Sequence, residues 1–252
     1  MKDSHDMGMN RTGIGMAPGM SEDMARHAQE GTATPGDPHA LSAVRRQYGS
    51  EAPPVGSAPP PPSAKGMAQS GMEMIKGHKP TVFMDKLGDR LAFERTGIRL
   101  YEALIDKFDS QGTWNDGPSR EELVRFKEQE GQHFAMVKEA IESMGGDPTS
   151  MTPSADVSGV ASEGVIKVVT DPRSSLVEAL HALHIAELTD NDGWDMLIRL
   201  TEGLGQDQMA ERFRTALQHE QIHLNSIRAW LASAVESEAH RSMQQEAPKT
   251  QH

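Results

Sequence analysis

Residues 123–144 read LVRFKEQEGQHFAMVKEAIESM, and the pattern within this stretch sets the fold class. Its apolar residues recur every three or four positions, as in an amphipathic helix that buries one face. Glu130 and His133 occupy places in this stripe where apolar side chains belong. Because the burial of unpaired charge is strongly unfavourable, groups of opposite charge are expected beside them.

The Glu-x-x-His step occurs a second time, at Glu220 and His223, in the apolar stripe of another helix. Two further glutamates, Glu94 and Glu187, each stand in the stripe of a further helix. Residues three apart on a helix project on the same side, so each step offers a carboxylate and an imidazole to one site. This is the ligand set of a dinuclear metal site inside a four-helix bundle.

The helices are predicted from apolar periodicity together with start and stop signals. Ser119 with Glu122, and Ser175 with Glu178, match the capping box that begins a helix. Glycines and a following proline end the second helix. The predicted spans are about 83–108, from Ser119 to Gly145, from Ser174 or Ser175 to about Gly203, and about 206–236.

Connection lengths predict the arrangement of these helices. Short connections make helices one and two, and helices three and four, antiparallel hairpins. The middle connection, residues 146–173, is about 28 residues long and can run the length of a helix of roughly 40 Å. It contains a β-prone run, residues 165–169, expected to lie along the surface. The expected fold class is therefore all-α, with two antiparallel helical hairpins joined by a long crossover, as in a ferritin-like four-helix bundle.

Outside residues 81–236, which hold the expected bundle, the chain shows no sustained apolar period. Residues 1–80 are rich in Gly, Pro and Met and are expected to form a disordered arm, since such a segment cannot offset its ordering entropy. Residues 237–252 are expected to be a polar C-terminal tail. The formal net charge of −12 argues against nucleic acid as a partner.

Two absences in the sequence narrow the chemistry and the compartment. The chain has no cysteine, so any metal must be bound by oxygen and nitrogen. It has no signal-peptide pattern and no stretch of ~18 apolar residues. We therefore expect a cytoplasmic protein with no membrane partner.

The donor types indicate which metals the site would bind. Carboxylate oxygens with one imidazole per ion suit iron or manganese better than copper or structural zinc. The expected cofactor is two Fe ions, with two Mn ions as the alternative, and open coordination positions would admit dioxygen or hydrogen peroxide. In the expected geometry the bridging ligands are Glu130 and Glu220, and the terminal ligands are His133, His223, Glu94 and Glu187.

The order of these ligands resembles the ferritin-like superfamily of dimetal-carboxylate proteins, which includes bacterioferritin, rubrerythrin and manganese catalase. The resemblance covers about residues 83–236. It implies an oxidoreductase that oxidises Fe(II), or reduces peroxide or dioxygen, at a diiron centre. A manganese-type catalase is one alternative, and a non-catalytic, stress-linked metal-binding protein is another. A homodimer is the default assembly.

The resemblance also assigns a role to Tyr101, seven residues after Glu94 on the same helix face. It matches the place where bacterioferritin and rubrerythrin carry a tyrosine that hydrogen-bonds a ligand carboxylate.

Two residues near Glu187 leave alternatives open. His184, one turn earlier, is either an alternative ligand or a partly exposed helix residue, and we favour the second. Asp190, one turn later, either orients a ligand histidine or faces water. The six polar residues of the set could also be coincidental, satisfied by hydrogen bonds without any metal.

Overall fold

The computed structural model describes residues 18–30, 36–57 and 80–246, with side chains placed to residue 239. The described part of the chain contains seven helices and no strand, in agreement with the predicted all-α class. The helices are α1 (Pro18–Glu30), α2 (Pro38–Glu51), α3 (Pro80–Gln111), α4 (Arg120–Ser143), α5 (Pro153–Thr170), α6 (Leu176–Gly203) and α7 (Asp207–Glu246).

Helices α4 and α6 begin at the capping boxes that the sequence predicts. At the start of α4, Glu122 N donates to Ser119 Oγ at 3.2 Å, and Ser119 N donates to the Glu122 carboxylate at 2.9 Å. Ser175 and Glu178 make the same pair of bonds at the start of α6. Each box satisfies two backbone N–H groups that the helix leaves without partners, and such a cap contributes about 1 kcal/mol.

Four long helices pack as two hairpins, α3 with α4 and α6 with α7. In the first hairpin Arg120 Nε lies 2.8 Å from Asp109 Oδ1 near the turn, while Gly146 lies against Met84 at the opposite end. These two contacts show that α3 and α4 are antiparallel. Helices α3 and α6 also contact each other, as do α4 and α7.

The crossover between the hairpins is carried by α5, which packs against α3 and α6. Thr152, which caps α5, donates its hydroxyl to the backbone oxygen of Asp85 near the start of α3. At the other end of α5, Lys107 Nζ donates to the backbone oxygen of Asp171 at 2.7 Å. Helix α5 therefore runs alongside α3 and spans the distance that the connection had to cover.

The prediction of a β-prone run at residues 165–169 is wrong, because this run forms the last turns of α5. Val165 and Val169, four positions apart, pack on the core, whereas Ile166 and Val168 are exposed. Strand propensity mainly reflects packing context, and here the helical period matches the available core surface.

Two apolar clusters lie on either side of the layer that holds the key glutamates. One cluster includes Leu104, Phe126 and Leu183. The other includes Phe83 and Trp194. The acidic side chains therefore lie in the middle of the helices, with packed core above and below them.

The predicted arm and tail are more helical than expected. Helices α1 and α2 form within the part predicted to be disordered, although neither has a buried residue. The sequence weakly favours a short helix at residues 68–75, which lie outside the described residues. Helix α7 continues ten residues past the predicted end at 236, to Glu246, which corrects the predicted end of the fourth helix. Seven of these ten residues are Ala, Arg, Glu, Gln or Met, which have high intrinsic helix propensity.

The chain divides into two units, residues 1–54 and 55–252. All residues of the predicted metal site belong to the second unit. No helix within the described ranges has the length and hydropathy needed to cross a membrane.

Candidate metal centre

The structure brings the six predicted ligands together in the interior. Each of them is at most 2 % exposed. They form two overlapping groups. Within each group the potential ligand atoms, one from each residue, all lie within 4.8 Å of one another. We name them the Glu94 group (Glu94, Glu130, His133 and Glu220) and the Glu187 group (Glu130, Glu187, Glu220 and His223). Glu130 and Glu220 belong to both groups, as expected of ligands shared by two ions.

Glu220 lies between the two imidazoles, with one oxygen toward each. His133 Nδ1 is 2.6 Å from Glu220 Oε1 and 3.5 Å from Glu94 Oε2. His223 Nδ1 is 3.1 Å from Glu220 Oε2 and 3.4 Å from Glu130 Oε1. Both histidines therefore present the same nitrogen, Nδ1, to the carboxylates.

The opposite nitrogen of each imidazole is held by a residue that the sequence interpretation missed. His133 Nε2 is 3.1 Å from His219 Nδ1, and His223 Nε2 is 2.9 Å from Gln129 Oε1. Such contacts fix the orientation of a ligand histidine. A signal was present in the sequence: each partner directly precedes the glutamate of a Glu-x-x-His step, and each serves the histidine of the other step.

Burial and the crowding of carboxylates shift the pKa values of these side chains. Burial, followed by the charge of Glu220, raises the pKa of Glu130 and of Glu187 well above their usual range. Burial alone would also raise the pKa of Glu220, but hydrogen bonds from His133 and His223 bring it well below its usual range. Burial lowers the pKa of His133, yet the bonds to Glu220 and Glu94 outweigh it and raise that pKa to about 9. Protons thus supply positive charge that a metal would otherwise supply.

The donor set fits a cation. Most buried polar atoms in proteins have a hydrogen-bond partner. Here the buried Oε2 atoms of Glu130 and of Glu187 accept no hydrogen bond, and Oε1 of Glu94 and Oε1 of Glu220 face only the charged or titratable side chains Arg90 and His133. Carboxylate oxygens grouped beside two imidazoles are ligand types that bind divalent metal ions. These buried groups could therefore hold metal ions.

Tyr101 makes the contact that the resemblance implied. Its buried hydroxyl donates to Glu187 Oε1. Burial and then the charge of Glu187 raise the pKa of Tyr101 well above its usual range, so the hydroxyl keeps its proton. Tyr101 therefore orients Glu187 as a neutral donor.

Asp190 neither orients a histidine nor faces water, so both alternatives considered for it are wrong. It is 3 % exposed and pairs with Arg90, whose Nη1 lies 2.9 Å from Asp190 Oδ1. Arg90 Nε also lies 2.8 Å from Glu94 Oε1. Arg90 stands four residues before Glu94 on the same face of α3, and this spacing was the sequence signal for their contact. His184 is partly exposed and joins neither group.

Gly97 provides the space for the Glu130 carboxylate. A Cβ atom at position 97 would lie 2.8 Å from Glu130 Cδ and closer still to Oε2. Only glycine leaves this part of the helix open to a ligand side chain from α4.

In its described part the chain is an all-α protein whose interior holds a cluster of carboxylates and histidines that could bind metal. Comparisons with protein-family models, with curated proteins and with solved structures found no match to this chain.

Proposed function

We propose that this chain is a ferritin-like dimetal-carboxylate protein. It binds two ions, iron by preference, and acts as an oxidoreductase that oxidises Fe(II) or reduces peroxide or dioxygen. The observation that supports this most is the pair of overlapping ligand groups that share Glu130 and Glu220. Two helical hairpins with a crossover that runs alongside them agree with the arrangement known for such proteins.

The charges of the site support two divalent ions. Four buried carboxylates offset two divalent cations, while Arg90 and Asp190 form a pair of their own. With one cation the site would retain excess negative charge, and such charge is strongly unfavourable in an interior.

When bound, the metal pair would supply a two-electron redox change toward dioxygen or peroxide. The protein side chains orient and shield the site. Tyr101 orients Glu187, and Gln129 and His219 hold the two histidines with Nδ1 inward. The apolar clusters on both sides exclude bulk water.

The first test is elemental analysis of the full chain purified from cells supplied with both iron and manganese. We expect two equivalents of iron per chain. Glu130→Gln combined with Glu220→Gln should remove both, because each glutamate belongs to both groups. Glu128→Gln is the matched control, since this glutamate lies on the exposed side of the same helix and should leave the metal content unchanged.

The second test adds Fe(II) to the metal-free protein in the presence of dioxygen or of peroxide and records consumption of each. Consumption by the wild type, and its loss in the Glu130→Gln, Glu220→Gln variant, would support the oxidoreductase. Release of oxygen from peroxide by a manganese-loaded protein would favour a manganese-type catalase. Tight binding of metal without turnover would favour the alternative of a non-catalytic metal-binding protein.

A further inference from the structure

The two ligand groups differ in the charge that adjoins their terminal glutamates. Glu94 Oε1 lies 2.8 Å from the guanidinium Nε of Arg90. Glu187 Oε1 instead accepts a hydrogen bond from the neutral hydroxyl of Tyr101. A guanidinium stays charged at any physiological pH. One group therefore has a permanent cation in direct contact with a ligand, and the other does not.

Arg90 cannot easily move away from Glu94. Its Nη1 atom lies 2.9 Å from Asp190 Oδ1 and donates to the backbone oxygen of Asp190 at 3.1 Å. Its Cζ atom lies 4.5 Å from the centre of the Phe93 ring and 5.4 Å from that of Trp194. Gly193 leaves the space for this arrangement, because a Cβ there would collide with Nη1.

We propose that Arg90 makes the two ligand groups unequal, so that a divalent cation occupies the Glu187 group first and the Glu94 group second and more weakly. This inference rests on the proposed function, in that the six residues are taken to bind two ions. Arg90 is a positioning residue in this proposal, since it acts on a metal through Glu94.

The physical reason is competition for one carboxylate. A cation entering the Glu94 group must share Glu94 with Arg90 and also meets the repulsion of its charge. That repulsion is weakly screened at a site from which water is excluded. Asp190 offsets part of the guanidinium charge but lies on the other side of it, in contact with Nη1. In the Glu187 group the hydrogen bond from Tyr101 brings no such charge.

The test is calorimetric titration of the metal-free full chain with Mn²⁺ in the absence of oxygen. We expect two steps whose dissociation constants differ by about tenfold, the lower end of the effect known for residues that contact metal ligands. His133→Gln should remove the weaker step and His223→Gln the tighter one, because each histidine belongs to one group.

Variants at position 90 separate charge from packing. Arg90→Gln removes the charge and should tighten the weaker step about tenfold, because the repulsion between the guanidinium and the entering cation is lost. Arg90→Lys keeps the charge and should leave this step weak. Arg99→Gln removes a charge from an exposed position on the same helix and should change neither step. If the single variant Arg90→Gln does not fold, Arg90→Gln with Asp190→Asn removes both charges and should also tighten the weaker step.

The outcomes distinguish this inference from the proposed function. If Mn²⁺ does not bind to the wild type, the proposed function fails and the inference fails with it. If two ions bind with equal affinity, or if His223→Gln removes the weaker step, the inference is overturned while the metal site stands. A loss of affinity in Arg90→Gln would show that Arg90 supports the Glu94 group by packing, and would also overturn it.

Discussion

Replacing Gly97 with alanine tests whether Glu130 is a ligand of both ions. The added Cβ would lie 2.8 Å from Glu130 Cδ. Because carbon atoms in contact lie about 3.5–4.0 Å apart, the carboxylate must move by roughly 1 Å. No charge or hydrogen-bonding group is removed. Any loss of metal affinity therefore reports the position of Glu130 alone.

The size of the effect follows from the shared ligand. Disturbing the support of a metal ligand lowers affinity by about 10–100-fold, and a displaced ligand belongs at the upper end. At a Mn²⁺ concentration 100 times the dissociation constant of the weaker step, that ion stabilises the wild type by about 2.7 kcal/mol, and by only about 0.4 kcal/mol once its site is 100-fold weaker. For an ion bound tenfold more tightly the corresponding values are about 4.1 and 1.4 kcal/mol. Over two ions the loss is about 4–5 kcal/mol, or roughly 10–20 °C in Tm for a domain of this size.

The assay is thermal unfolding followed by circular dichroism, with and without Mn²⁺. The quantity compared is the increase in Tm that Mn²⁺ produces, so a change in the stability of the metal-free protein cancels. Gly131→Ala is the matched control, because this glycine adjoins Glu130 in sequence. Apart from the backbone of its own helix and its two chain neighbours, no described residue lies within 4 Å of the added Cβ. An increase in Tm for Gly97→Ala equal to that of the wild type would refute the assignment of Glu130 as a shared ligand.

Three further predictions concern the metal-free protein, Tyr101 and the N-terminal unit. The raised pKa of His133 contributes stability that is fully present below pH 6.5 and is lost as the pH rises through about 9. The free energy of unfolding by urea should therefore fall by about 3 kcal/mol over that range without metal, and should fall less in His133→Gln. Tyr101→Phe removes the hydroxyl donor to Glu187 and should weaken only the tighter Mn²⁺ step, by about tenfold in calorimetry. Deletion of residues 1–54 should leave metal content and cooperative unfolding intact, since the site lies wholly in the other unit; loss of either would contradict this.

The buried layer of glutamates and histidines was predictable because polar residues in an apolar stripe stand out against the helical period. The helix starts at Ser119 and Ser175 were predictable for a similar reason, since a capping box is a local signal that needs no tertiary contact. The signals for α5 were also local, with Thr152 as the cap and a proline after it. These signals were overlooked because four of the five residues 165–169 are β-branched and favour a strand. Strand propensity depends on packing that the sequence does not show.

The contact between Arg90 and Asp190 was not predictable from periodicity. A long basic side chain at the edge of a stripe normally extends its charged end to water. Whether the side chain turns inward depends on a partner of opposite charge and on free space. Helix α6 provides both, since Asp190 is the partner and Gly193 leaves the space. The same holds for Gln129 and His219, whose roles depend on the close approach of α4 and α7.

The two Glu-x-x-His steps are equivalent in sequence, yet the structure makes their glutamates different. Both imidazole Nδ1 atoms lie close to Glu220, at 2.6 and 3.1 Å, whereas Glu130 is 3.4 Å from one of them. Glu220 therefore keeps its negative charge while burial raises the pKa of Glu130. Without metal, protons accumulate on Glu130 and His133, and entering cations must displace them. Metal affinity should consequently increase with pH, because fewer protons then have to be displaced.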